Sequence, residues 1–301
     1  MAGRSPTLVW LTCVALLGLV TSTMAVLGQE TDQPPAEEPA VATPEPAAPS
    51  PARPPALQAR EQLVQFPSGD LQLSGFVWKP EGDGRFPAIL YNHGSEKLPG
   101  WKPELGQLFV GNGYVFLVPH RRGHGRSAGP YIQDQITQAP PADRNRRQVE
   151  LLEEHVADQL AGLAFLRTLP YVDQSRIAVA GCSYGGTQTL LGAEANPGYR
   201  AAVDFAGAAQ SWAGNPLLQQ RLIRSVQNIS IPIFLLQAEN DYNTQPSLVL
   251  AAELVRLGRP HTMRIYPPFG TTRDDGHGGF CARGGDVWGA DVFAFLREAM
   301  G

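Results

Sequence analysis

Residues 176–195 read RIAVAGCSYGGTQTLLGAEA. An apolar run, Ile177–Ala180, enters Gly181-Cys182-Ser183-Tyr184-Gly185, and a helix-like run follows from Thr187. A short, continuously apolar segment reads as a strand buried on both faces. A serine at its junction with a helix, between glycines, has a physical use. A tight strand-to-helix turn lifts the hydroxyl into the open, and Gly181 and Gly185 avoid clashes at that turn. The free N–H groups of the new helix then point at any negative charge formed beside the hydroxyl. Ser183 is therefore expected to be a nucleophile.

Outward from this junction, strand-like and helix-like segments alternate. Leu63–Phe66 and Leu71–Lys79 flank the turn signal Ser68-Gly69-Asp70 and predict a hairpin. Apolar runs at Ala88–Tyr91, Tyr114–Val118, Ala201–Phe205, Ile233–Leu236 and Met263–Tyr266 predict further strands. Helices are expected near Glu104–Val110, Gln148–Leu169, Thr187–Ala195, Leu217–Val226, Ser247–Leu257 and Val287–Ala299, with Pro170 ending the second. This order predicts an α/β fold: a mainly parallel central sheet with an antiparallel N-terminal edge, helices on both faces and no large cap domain. Ligands of such sheets sit beyond the carboxyl ends of the strands. The residues following each apolar run are therefore where chemistry is sought.

The chain has 301 residues and a net charge of −4, which argues against a nucleic-acid partner. Arg121, Arg122 and Arg126 are expected to form a solvated loop. Residues 1–28 read as an export signal, with Arg4 before the apolar stretch Leu8–Val20 and small residues near Ala25 and Gly28. The protein is then periplasmic or secreted; the alternative is a membrane anchor left uncleaved. Cys13 lies inside the apolar stretch and has no lipidation context. Residues 29–60, rich in Pro, Ala and Glu, hold too little apolar surface to offset ordering and read as a disordered linker. Residues 61–301 are expected to be the catalytic domain.

A serine hydroxyl needs a base. Of the six histidines, His277 in "TTRDDGHGGF" lies in a Gly-rich loop between the last strand and the last helix, free to aim its ring over the sheet. His155 is expected on the solvated side of its helix. His120 and His124, four apart but separated by Gly123, make a poor helical metal pair. The base in turn needs an orienting carboxylate. Asp241, in "QAEND" after the strand Ile233–Leu236, is the expected member, with Glu239 the alternative; Asp274 and Asp275 are read as loop charge. An oxyanion needs two N–H donors. Those of Tyr184 and Ser95 are chosen, Glu96 being the alternative to Ser95. His93 is expected to shape the loop beside Ser95. Tyr131 and Gln133 could cover the site and Trp212 could line it.

With these residues in place, "YNHGS", "HRRGHGRSAG", "DQSRIAVAGCSYGG", "LLQAENDYNTQPS" and, less tightly, "DGHGGF" resemble the α/β-hydrolase superfamily over roughly residues 62–300. The likeness is strongest to dienelactone hydrolase-related enzymes and to prolyl-oligopeptidase-type catalytic domains. It implies hydrolysis through an acyl-enzyme, with no metal or organic cofactor, on a small-molecule ester. A peptidase or amidase, and a catalytically silent binding protein on the same fold, are the competing expectations. The chain departs from the dienelactone hydrolases it resembles, which use a cysteine nucleophile where Ser183 stands. Cys182 and Cys281 flank the chosen serine and histidine. Two buried free thiols are expected there, a disulfide between them being the alternative. Oligomeric state is not legible.

Overall fold

The computed structural model describes residues 61–195 and 197–301. The readings of residues 1–28 as an export signal and 29–60 as a linker lie outside the described residues. Eight strands form one sheet in the order β1-β2-β4-β3-β5-β6-β7-β8. Strands β1 (Glu61–Ser68) and β2 (Leu71–Trp78) pair as an antiparallel hairpin, and β2 also runs antiparallel to β4 (Val115–His120). The rest are parallel: β3 (Phe86–Asn92), β5 (Val172–Cys182), β6 (Ala202–Phe205), β7 (Ile233–Ala238) and β8 (His261–Tyr266).

Alternate residues of the central strands feed two apolar layers. Leu90, Leu117, Val179 and Leu235 face one; Ile89, Phe116, Ala178 and Phe234 face the other. Helices α3 (Arg144–Glu154), α4 (Val156–Thr168), α5 (Tyr184–Glu194), α6 (Pro216–Asn228) and α7 (Gln245–Arg256) cover the first layer. Helices α1 (Pro103–Gly111) and α9 (Gly285–Met300) cover the second. Central strands are mostly apolar because both faces are covered, whereas the edge strand β8 leaves Thr262, Met263 and Arg264 exposed. None of the described helices is long and apolar enough to cross a membrane.

Two expectations need correction. The single helix over residues 148–169 is two, α3 and α4, meeting at His155. The bend turns that ring inward, where it is fully buried and meets the Tyr184 hydroxyl at 3.2 Å. The arginine loop is not solvated as a unit. Arg121 is buried, and Arg122 makes a two-pronged ion pair with the buried carboxylate of Asp158. The segment between β4 and α3 holds α2 (Ile132–Gln138) and a short 3-10 turn, Pro141–Asp143.

Candidate active site

β5 delivers Ser183 with φ 60° and ψ −120°, outside the regions that residues with a side chain usually occupy. The backbone can make this turn because its flanks are glycines. A Cβ on Gly181 would lie 2.3 Å from the Gly185 carbonyl oxygen, and one on Gly185 would lie 1.9 Å from that of Asn92. Asn92 ends the neighbouring strand β3, so the turn is wedged between two strand ends. The Ser183 N–H donates to the Phe205 carbonyl at 2.9 Å, which ties the turn to β6 as well.

His277 Nε2 lies 2.8 Å from Ser183 Oγ, and its Nδ1 lies 2.8 Å from Asp241 Oδ1. The three residues come from the ends of β5 and β7 and from the connection after β8. Asp241 has no solvent exposure at its side chain, and its carboxylate accepts from the Gln237 amide at 2.9 Å and its neighbour's N–H, Tyr242, at 2.6 Å. Gln237 is itself held by the Ser247 hydroxyl at 2.6 Å. The carboxylate is thus fixed before it meets the imidazole. Glu239, the alternative, is exposed.

His277 does not lie in an open loop. It sits in a π-helical turn, Asp275–Gly279, that runs on into α8 (Phe280–Arg283). The Asp275 carboxylate anchors that turn by accepting from the N–H groups of Thr271 and Thr272 and from the Thr272 hydroxyl. Asp274 accepts from the Tyr242 hydroxyl. Cys182 and Cys281 are joined in a disulfide with a Cα separation of 6.1 Å, so the two thiols are not free. The bond ties the residue before Ser183 to the residue four after His277.

Under the site, His93 is fully buried. Its Nε2 accepts from the Arg121 N–H at 3.3 Å, which leaves Nδ1 to donate to the Gly94 carbonyl at 2.9 Å. The Arg121 guanidinium donates to the carbonyls of His93 and Gly94 and lies 4.7 Å from the centre of the Tyr184 ring. Burial pushes its pKa down to about 10. This arginine holds both the loop before Ser95 and the first residue of α5, a role that nothing local in the sequence signals.

Two cavities open at Ser183. The larger, about 490 Å³, includes Ser95, Glu96, Lys102, Tyr131, Gln133 and His277 in its wall. Glu96 pairs with Lys102 at 2.6 Å; burial works to raise its carboxyl, but Lys102 outweighs that and holds it below the usual range. The smaller, about 60 Å³, is walled by Ser95, Tyr184, Gln148 and Ser211 among others. Tyr131 and Gln133 therefore reach the site. His93 and Trp212 line neither cavity; Trp212 packs into the core, as its large apolar ring favours. A third, open cleft of about 560 Å³ lies at the opposite ends of β6, β7 and β8 and shares no lining residue with the other two. Among the described residues, no cluster of three or more His, Cys, Asp or Glu side chains could hold a metal ion.

The sequence profile of the dienelactone hydrolase family matches residues 74–284. Over 169 residues the chain is 30% identical to the quorum-quenching protein AidA of Acinetobacter baumannii, an alignment covering 53% of this chain and 49% of that one. The chain thus spans about half the length of that curated relative. Among solved structures, an acylaminoacyl peptidase of Pyrococcus horikoshii superposes with a TM-score of 0.63 at 21% identity, covering 81% of this chain and 42% of its own. An esterase of Pyrococcus furiosus gives 0.57 at 16% identity, covering 81% and 92%. At those identities the structures speak for the fold, which they share with this chain as an α/β-hydrolase. The profile covers well over half of the sequence, and the chain belongs to the dienelactone hydrolase family.

Proposed function

We propose that this protein is an exported serine hydrolase that cleaves a small or accessible carboxylic ester through Ser183, His277 and Asp241. One observation carries the reading: the His277 ring bridges a serine hydroxyl and a buried carboxylate, at 2.8 Å on each side. In this reading His277 takes the proton of Ser183 as the oxygen attacks the ester carbonyl. Asp241 keeps the ring in the Nδ1–H tautomer and stabilises the imidazolium. The Tyr184 and Ser95 N–H groups hold the oxyanion. His277 returns its proton to the departing alcohol, then activates the water that releases the acid. Export rests on residues 1–28 alone and predicts a mature chain beginning near residue 29.

Ser183→Ala tests the nucleophile. The expected outcome is loss of nearly all turnover of a 2-naphthyl acetate, and of labelling by a fluorophosphonate, with an unchanged circular-dichroism spectrum. Retained turnover would refute the assignment. Comparison of the naphthyl ester with the matching anilide separates an esterase from a peptidase or amidase, and the ester is expected to be the better substrate. Neither turnover nor labelling in the unaltered chain would favour a silent binding protein.

A further inference from the structure

The two cavities at Ser183 differ in size, in chemistry and in the side they occupy. The larger has His277 and Gly278 in its wall; the smaller has no residue of the His277 turn. An alcohol leaving the tetrahedral intermediate takes its proton from His277 Nε2, so it must lie on the imidazole side. The acyl substituent lies across the carbonyl from it. The alcohol then belongs in the cavity of about 490 Å³ and the acyl group in the one of about 60 Å³.

On the same measure the smaller cavity has about 60 Å³ against about 490 Å³ for the larger, which favours a short group over a long one in it. Leu152 and Leu218 are in its wall, and both are buried in the core. The wall is also polar and held in place. Gln148 Nε2 donates to Ser211 Oγ at 2.9 Å, and Gln148 Oε1 accepts from Asn215 Nδ2 at 2.9 Å. Asn215 also donates to the Asn145 carbonyl at 3.0 Å and accepts from the Leu218 N–H at 3.1 Å, capping α6. Since Ser211 Oγ accepts from Gln148, its hydroxyl proton is free to donate. The cavity therefore carries a fixed donor, backed by a network rooted in a helix N-terminus.

We propose that this cavity is the acyl site, and that it selects a two-carbon acyl group bearing a hydrogen-bond acceptor, such as hydroxyacetyl, esterified to a bulkier alcohol. Ser211 is the specificity-determining residue. The inference rests on the serine-esterase reading above.

The test uses the full chain and four 2-naphthyl esters: acetate, propionate, hydroxyacetate and hexanoate. Fluorophosphonate labelling of Ser183 is followed in parallel. Acetate is expected to exceed hexanoate in kcat/KM by at least about tenfold, since the smaller cavity favours the shorter group. Hydroxyacetate and propionate have equal numbers of non-hydrogen atoms, and the former is expected to lead by about five- to tenfold, the worth of one hydrogen bond. Ser211→Ala is expected to bring that ratio close to one. Hexanoate equalling acetate, or a ratio that Ser211→Ala leaves unmoved, overturns the acyl site while labelling shows the nucleophile intact. Absent labelling together with absent turnover overturns the esterase reading, and the acyl site with it.

Discussion

At the scale of single residues, the site is a set of polar groups held by specific hydrogen-bond partners. The Asp241 carboxylate receives hydrogen bonds from Gln237 and Tyr242 before it meets His277. Asp241→Asn keeps the shape but offers the ring an amide that can stabilise the wrong tautomer and cannot stabilise an imidazolium. The expected result is a fall in kcat of about 10³–10⁴-fold on naphthyl acetate, with little change in KM. That Ser183, Asp241 and His277 meet was legible in the sequence because each follows an apolar strand, and position after a strand is local information. Arg121 and His155 were not legible. Their burial depends on His93, 28 residues earlier than Arg121, and on Tyr184, 29 residues later than His155. No local pattern separates such a buried cation or imidazole from a solvated one. Backbone strain at the site was half legible: the glycines around Ser183 announce a tight turn, but the positive φ of Ala206 and Ala208 after β6 has no sequence signal.

At the scale of elements, His277, the proposed base, is carried by a short helical turn that must be fixed against β5. Two devices do so: the Asp275 anchor within the turn and the Cys182–Cys281 disulfide across to the strand. The cysteines are 99 residues apart in sequence, so the bond closes a long loop. A cross-link over that span is expected to stabilise by about 2–5 kcal/mol, chiefly by restricting the unfolded chain. The double variant Cys182→Ala, Cys281→Ala should lower the guanidinium midpoint accordingly. It should also lower kcat more than it raises KM, because His277 would no longer be held at hydrogen-bonding distance from Ser183. Equal kcat with a lowered midpoint would show the bond to matter for folding alone. The elements themselves were largely readable from apolar runs and their punctuation, with ends shifted by a few residues. The break at His155 was hidden because the apolar spacing of Leu151, Leu152, Val156, Leu160 and Leu163 passes through it without interruption.

At the scale of the whole molecule, the crossovers of a mainly parallel sheet bring the ends of β3, β4, β5 and β7 to one rim, and beneath that rim lies a buried layer of histidines. His120, His93, His124 and His155 follow one another in that spatial order at ring separations of 4.9–6.4 Å, with Arg121 among them. Burial disfavours their cations first, and the Arg121 charge adds to it. His124 is pushed down to about 4 and His155 to about 3, while His93 and His120 also lie below the ordinary value. In the unfolded chain each titrates near 6.5. Below that pH the unfolded state takes up protons that the fold refuses, so stability is complete above about 6.5 and declines as the pH falls towards 4. Each such histidine contributes a loss of about 1.4 kcal/mol per pH unit in that window. Asp204 acts in the other direction. Burial raises its carboxyl to about 7, only partly countered by the Gly207 N–H, so its penalty is present above neutrality and is relieved on acidification. One carboxyl is set against four imidazoles, and the imidazoles prevail. Urea unfolding is therefore expected to give a clearly lower midpoint at pH 5 than at pH 7. Because the layer lies directly under Ser95 and Tyr184, the proposed turnover of naphthyl acetate should be lost over the same range as structure. A midpoint that holds or rises on acidification would mean that these rings already carry protons in the folded chain.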